Sequence, residues 1–141
     1  MTIWKQEPIA EYKEFIKSFP ELSEKFGELI RTIMEQPKLD KKVKELIITA
    51  LLAAQQFESG FKFHVKEAQN RGASREEILE TILLILPYGN VSSFLKSLWW
   101  AKDLGILQTR FMRKPNFILH LSFVKNNFLH QLPISGGRKR G

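Results

Sequence analysis

The residues best suited to chemistry lie in the middle of the chain, where Glu45 and His64 fall on neighbouring helical segments, and the whole chain contains no cysteine. A carboxylate and an imidazole can exchange protons near neutral pH, whereas thiolate nucleophiles, disulfides and thiolate metal sites are excluded. A histidine on a helix is more often structural than catalytic, and a glutamate near a helix start is usually a surface charge. The residue types alone leave both interpretations open.

Helical periodicity dominates the chain up to Gly105, and no alternating strand pattern interrupts it. We therefore predict an all-α protein, a compact bundle of about six helices. The third helix is apolar nearly all round, which predicts a central and buried position. The predicted helices run from Ile9 to Phe19, from a cap at Ser18 to before Pro37, from Asp40 to Ala54, from about Ser59 to Arg71, from Ser74 to before Pro87, and from Asn90 to Gly105.

Several local features of these helices are also predicted. Ser18 with Glu21, and Ser74 with Glu77, have the spacing of a capping box. The adjacent Trp99 and Trp100 cannot both face one core, so we expect one of them at a subunit contact or exposed. In the last helix, the periodicity places five apolar residues inward: Phe94, Leu95, Leu98, Ala101 and Leu104.

The net charge of +7 comes entirely from the last part of the chain. Residues 1–105 contain 15 basic and 15 acidic residues, whereas residues 106–141 contain seven basic residues and no acidic one. The helical part therefore gives no electrostatic reason to expect specific nucleic-acid binding. We predict a helical domain at 1–105 and a basic, partly disordered extension at 106–141, within which 116–124 forms a strand or an appended helix.

Other classes of function lack sequence support. The apolar runs are too short for a membrane span, and the start MTIWKQEP lacks the pattern of a secretory signal, so we expect a cytoplasmic protein with no membrane partner. Zinc-ligand spacing and phosphate-binding glycine loops are also missing from the sequence. We predict no metal and no cofactor.

The stretch from Leu39 to Leu104 resembles the carboxymuconolactone decarboxylase and alkylhydroperoxidase D family. Glu45 stands at the family's glutamate position, and His64, followed by VKEAQNRGAS, stands at its histidine position. Between them, Phe57 and Gly60 replace the two cysteines of the peroxidase members. The segment YGNVSSFLKSL resembles the loop and helix that follow, with Ser92 where many members have proline.

This resemblance implies an alkylhydroperoxidase D-like fold without the thiol cycle. The expected chemistry is thiol-independent acid–base catalysis, such as decarboxylation, on a small organic acid. His64 would act as the catalytic acid or base and Glu45 would orient it. We expect Phe57 and Gly60 to line the substrate pocket, with Tyr88 as a neighbour.

Two alternatives stay open: a non-catalytic binding or scaffold protein on the same fold, and a decayed alkylhydroperoxidase. A pair of cations for a di-acid substrate is not evident, because Lys62, Lys66 and Arg71 are expected to point to solvent. Helices that are apolar on more than one side favour a homo-oligomer, and the family suggests a trimer or a hexamer.

Overall fold

A computed structural model describes residues 6–108, and every regular element within them is an α-helix, which confirms the predicted class. None of these helices combines the length and the hydropathy needed to cross a bilayer. The predicted segment at 116–124 lies outside the described residues. The helices are α1 (Ala10–Ser18), α2 (Pro20–Met34), α3 (Lys41–Ala54), α4 (Glu58–Asn70), α5 (Arg75–Leu83), α6 (Ile85–Tyr88) and α7 (Val91–Asp103).

One of the two predicted capping boxes is present. At the start of α5, the Ser74 hydroxyl accepts a hydrogen bond from the Glu77 amide, and the Glu77 carboxylate accepts one from the Ser74 amide. The box predicted at Ser18 is wrong, because α2 begins at Pro20 and the Ser18 hydroxyl instead donates to Glu14 at 3.1 Å. Proline has a backbone suited to the first helical position, so Pro20 sets the start of α2.

The prediction that one long helix ends before Pro87 is also wrong. The backbone breaks at Leu84, and Pro87 lies inside the one-turn helix α6. Amides in a first helical turn have no partner within the helix, so proline is tolerated there.

Helix α3 is central, and polar and small side chains form its buried face. It packs against α4, α5, α6 and α7. Its buried residues are Glu45, Thr49 and Ala53, which recur at four-residue spacing, whereas Ile47 and Leu51 are 45% and 55% exposed. The polar stripe of α3 therefore faces inward, and part of its apolar stripe faces outward.

Small residues form the inner face of α7. Ser93, Ser97 and Ala101 are fully buried there, whereas the predicted inward residue Leu95 is 57% exposed. The serine hydroxyls are satisfied by backbone carbonyls, since Ser93 donates to Ala54 at 3.1 Å and Ser97 donates to Ser93 at 2.6 Å. Small side chains let α7 approach α3 closely, and this excludes Leu95 from the core.

The tryptophan pair divides as the sequence predicts. Trp100 is 7% exposed and packs against Phe61 with ring centroids 5.5 Å apart, whereas Trp99 is 62% exposed. A subunit contact at Trp99 stays a prediction.

The helical core reaches beyond Gly105. Gly105 has a φ of +69°, a left-handed conformation that glycine adopts at low cost and that ends α7. The next residue, Ile106, is 2% exposed, and its amide donates to the Ala101 carbonyl at 2.8 Å. The core therefore includes the first residue of the predicted extension.

Candidate active site

The two residues singled out for acid–base chemistry are in contact. His64 Nδ1 lies 2.7 Å from Glu45 Oε2. The Glu45 side chain is completely buried, and the His64 side chain is 15% exposed. Only three residues join α3 to α4, so the two helices pack as neighbours and bring the carboxylate to the imidazole.

Behind this pair lies a buried charged cluster that we define as Glu45, Glu67 and Arg71. Arg71 Nε donates to Glu45 Oε1 at 3.2 Å, and a terminal guanidinium nitrogen lies 3.7 Å from Glu67 Oε2. Glu67 is completely buried, and only 14% of the Arg71 side chain is exposed. The expectation that Arg71 points to solvent is therefore wrong.

Glu67 was not among the predicted site residues and Arg71 was expected in solvent, although the spacing of the two residues carries a signal. Residues three, four and seven positions apart share one face of a helix, so His64, Glu67 and Arg71 line one face of α4. Buried acidic and basic residues normally pair. An acidic and a basic residue at helical spacing from a candidate histidine, such as Glu67 and Arg71 after His64, therefore indicate a buried charged cluster.

The two lysines predicted to point away from the site do so. Lys62 bridges Glu58 at 2.6 Å and Asp103 at 3.2 Å, and the hydrogen bond to Glu58 raises the Lys62 pKa. Lys66 is exposed. Neither residue supplies a cation beside His64.

The Glu45 contact determines the tautomer of His64. A carboxylate only accepts hydrogen bonds, so the proton in this contact belongs to Nδ1. In the neutral ring, Nε2 is then a basic lone pair, and in the imidazolium it is a donor. Glu45 therefore orients the ring and assigns proton exchange to Nε2.

His64 also forms part of the wall of a cavity of about 270 Å³. Residues of α1 and α2 form one wall, and residues of α3, α4 and the turn between them form the other. The volume is at the low end for ligand sites, which indicates a small ligand. Besides His64, the lining includes Ile9, Tyr12, Ile30, Leu52, Phe57 and Gly60.

Phe57 and Gly60 line this cavity, and Tyr88 does not; that the cavity binds a substrate stays a prediction. Tyr88 ends α6, and it is 87% exposed, so its predicted place beside the pair is wrong.

The Phe57 ring fills the space beside Gly60. A Cβ atom added at Gly60 would lie 2.5 Å from Phe57 Cδ1 and 3.2 Å from Leu52 Cδ1. Before Phe57, Gln56 adopts a left-handed φ of 59°, and the Phe57 amide donates to the Leu52 carbonyl at 3.0 Å, which ends α3. The ring therefore occupies the place that the first side-chain atoms at position 60 would need.

Taken together, these residues define a small all-α protein with a buried carboxylate–imidazole pair beside an apolar cavity. The family model of the carboxymuconolactone decarboxylase family matches residues 20–103. The chain belongs to this family.

Two solved structures are similar to this one. A carboxymuconolactone decarboxylase family protein from Legionella pneumophila, solved in its apo form, is 33% identical over 65% of this chain and 82% of its own, with a TM-score of 0.60. A protein from Burkholderia xenovorans LB400, named as a carboxymuconolactone decarboxylase, is 24% identical over 72% of this chain and 86% of its own, with a TM-score of 0.55, and supports the fold alone. No curated protein matches the chain.

Proposed function

We propose that this protein carries out thiol-independent acid–base chemistry, a decarboxylation, on a small organic acid. His64 is the proposed catalytic residue, and Glu45 is the residue that positions it. The proposal rests on the 2.7 Å contact between the Glu45 carboxylate and His64 Nδ1. The same imidazole ring also lines the cavity. Family membership supports a decarboxylase-like activity without naming a substrate.

The proposed step needs a proton donor, which the protein supplies, and an electron-accepting group, which the substrate supplies. The bond between the substrate carbon and its carboxylate breaks, carbon dioxide leaves, and the electron pair moves into a carbonyl or unsaturated group of the substrate. Protonated His64 then delivers the Nε2 proton to that carbon and later regains a proton from water. An apolar cavity solvates a carboxylate poorly, so it favours loss of neutral carbon dioxide.

Substitution of His64 tests the role of the imidazole. We expect His64→Gln to lower kcat/KM for a decarboxylated acid by about 100-fold or more, because positioned acid–base groups contribute factors of this size. Glu45→Gln should have a smaller effect, because the ring remains but loses its orientation. Carbon dioxide release from a panel of small oxo acids and lactones measures both variants.

Lys66→Gln is the matched control for His64→Gln, because Lys66 is exposed on the same helix. Its turnover should equal that of the unmodified protein. Full turnover by folded His64→Gln would contradict the proposal. Ligand binding without turnover of any acid would favour the non-catalytic alternative.

The alternative of a decayed alkylhydroperoxidase rests on the positions of Phe57 and Gly60. Phe57 is the N-cap of α4, where a cysteine would be activated by the helix dipole, and Gly60 lies one turn further on. The double variant Phe57→Cys with Gly60→Cys also removes the ring that crowds position 60. If this variant reduces hydroperoxides with a dithiol donor, the result favours the decayed-peroxidase alternative. The cysteine-free chain should show no such reduction.

We also propose that the protein assembles as a homo-oligomer, a trimer or a hexamer. Three helices each expose large apolar side chains, and contiguous exposed apolar surface usually marks a protein contact. Light scattering should give a multiple of the 16.4 kDa chain mass, and a monomer mass at micromolar concentration would refute assembly. The exposed residues include Leu22, Leu29 and Ile33 of α2, Ile47 and Leu51 of α3, and Val91, Leu95 and Trp99 of α7.

A further inference from the structure

A substrate that carries two carboxylates would need positively charged partners in the wall of the cavity. Among the residues that the structure describes, none of those lining the cavity is lysine or arginine. The polar side chains on the wall are the imidazole of His64 and the phenol of Tyr12. An ionised carboxylate placed in apolar surroundings without a partner is strongly disfavoured.

The cations nearest to this wall are engaged elsewhere. The guanidinium of Arg71 lies between two buried carboxylates, those of Glu45 and Glu67. Withdrawing it towards a ligand would leave both carboxylates without their counter-charge, which is costly in a buried position. Arg71 therefore belongs to the charged cluster and not to the ligand.

Three lysines of α3 and α4 show the same pattern. Lys44 donates to the carbonyls of Met34 at 2.7 Å and Gln36 at 2.6 Å, at the end of α2. Lys42 pairs with Glu77 at 2.7 Å. Lys62 is held by its own acidic partners. Among the residues that the structure describes, His64 is therefore the one basic side chain that a ligand carboxylate meets in the cavity lining.

We propose that the cavity takes a compact, mostly apolar molecule with a single carboxylate, placed against His64, and that it discriminates against dicarboxylates. This inference rests on the proposed function and narrows its substrate class. The apolar body of the ligand would pack between Ile30 of α2 and Leu52 of α3. The second carboxylate of a di-acid would face this apolar wall and lose its hydration without gaining a partner.

Three seven-carbon compounds of matched length test the proposal: heptanoate, the dicarboxylate pimelate, and 1-heptanol. Binding to the full-length protein is measured by calorimetry at one ionic strength, without reference to turnover. We expect heptanoate to bind at least about tenfold more tightly than pimelate, because one buried unpaired charge is enough for such a ratio. The His64→Gln variant should lose the preference for heptanoate over heptanol.

A cation placed on the wall should weaken the discrimination against the dicarboxylate. Ile30→Lys adds an ammonium group to the lining, so the ratio of heptanoate to pimelate affinity should fall at least about threefold. Thr32→Lys is the matched control, because it adds the same charge at an exposed polar position of α2, two residues further along the helix and outside the cavity lining. It should leave the ratio unchanged.

The outcomes separate this inference from the proposed function. Pimelate binding as tightly as heptanoate, or no saturable heptanoate binding, overturns the inference even if Ile30→Lys does not fold. Decarboxylation of a dicarboxylate alone would overturn it while the proposed function stands. Tight, His64-dependent binding of monocarboxylates without turnover of any acid would support it while the proposed function fails.

Discussion

His64 separates two regions of opposite character. On its Nδ1 side lies the charged cluster, in which Glu45 and Glu67 are completely buried around Arg71. Its ring also lines a cavity whose wall is almost entirely apolar. The cluster holds the ring and fixes its tautomer, whereas the cavity contributes shape and an apolar wall. The charged cluster therefore orients the His64 ring, and the cavity selects the ligand.

The largest expected effect comes from breaking the charged cluster. Arg71→Met leaves two buried carboxylates without their guanidinium, so the free energy of unfolding should fall by about 3 kcal/mol. Adding Glu67→Gln to this variant restores the charge balance and should recover part of the loss. Urea denaturation measures all three proteins.

The control for the cluster is Arg75→Met, because Arg75 is exposed at the start of α5. Its effect should stay within about 0.5 kcal/mol, as is usual for surface changes. An equally small effect of Arg71→Met would show that the cluster does not stabilise the fold.

The next largest effect is expected from a change of shape in the cavity wall. Gly60→Ala places a methyl group 2.5 Å from Phe57 Cδ1, so the ring must move, and we expect a loss of stability of about 1 kcal/mol. In a Phe57→Ala background the same change should become stabilising, because alanine is favoured over glycine within a helix by about 0.5–1 kcal/mol. Thermal unfolding of the two single variants and the double variant measures the coupling between positions 57 and 60. Additive effects would contradict the contact between them.

The smallest effect is expected for the half-buried ion pair of Lys42 and Glu77, which lies nearer the surface than the charged cluster. The hydrogen bond from Lys42 lowers the pKa of Glu77 below 4.5, so its contribution to stability is present above pH 4.5 and is lost as the pH falls through the folded-state pKa. Glu77→Gln keeps the capping geometry and should destabilise slightly at neutral pH. The unfolding midpoints of the two proteins should converge in acid, and a constant difference would contradict this assignment.

Sequence periodicity predicted the helices well, because apolar spacing and end signals are local properties. The proximity of Glu45 and His64 was predicted from the family resemblance. The predictions for Arg71 and Leu95 failed for a common reason: which face of a helix is buried depends on the neighbouring helix. In α3 and α7, several polar or small residues face inward and several large apolar residues other than Trp100 face outward, so hydrophobicity alone assigns the wrong side.

The imidazole nitrogens of His64 give the most direct test of its two-sided role. In ¹⁵N-labelled full-length protein, with His64→Gln to assign the signals, the neutral ring should carry its proton on Nδ1, towards Glu45. Heptanoate should shift the Nε2 signal more than the Nδ1 signal. A neutral ring protonated on Nε2, or a heptanoate response absent from both nitrogens, would contradict the account.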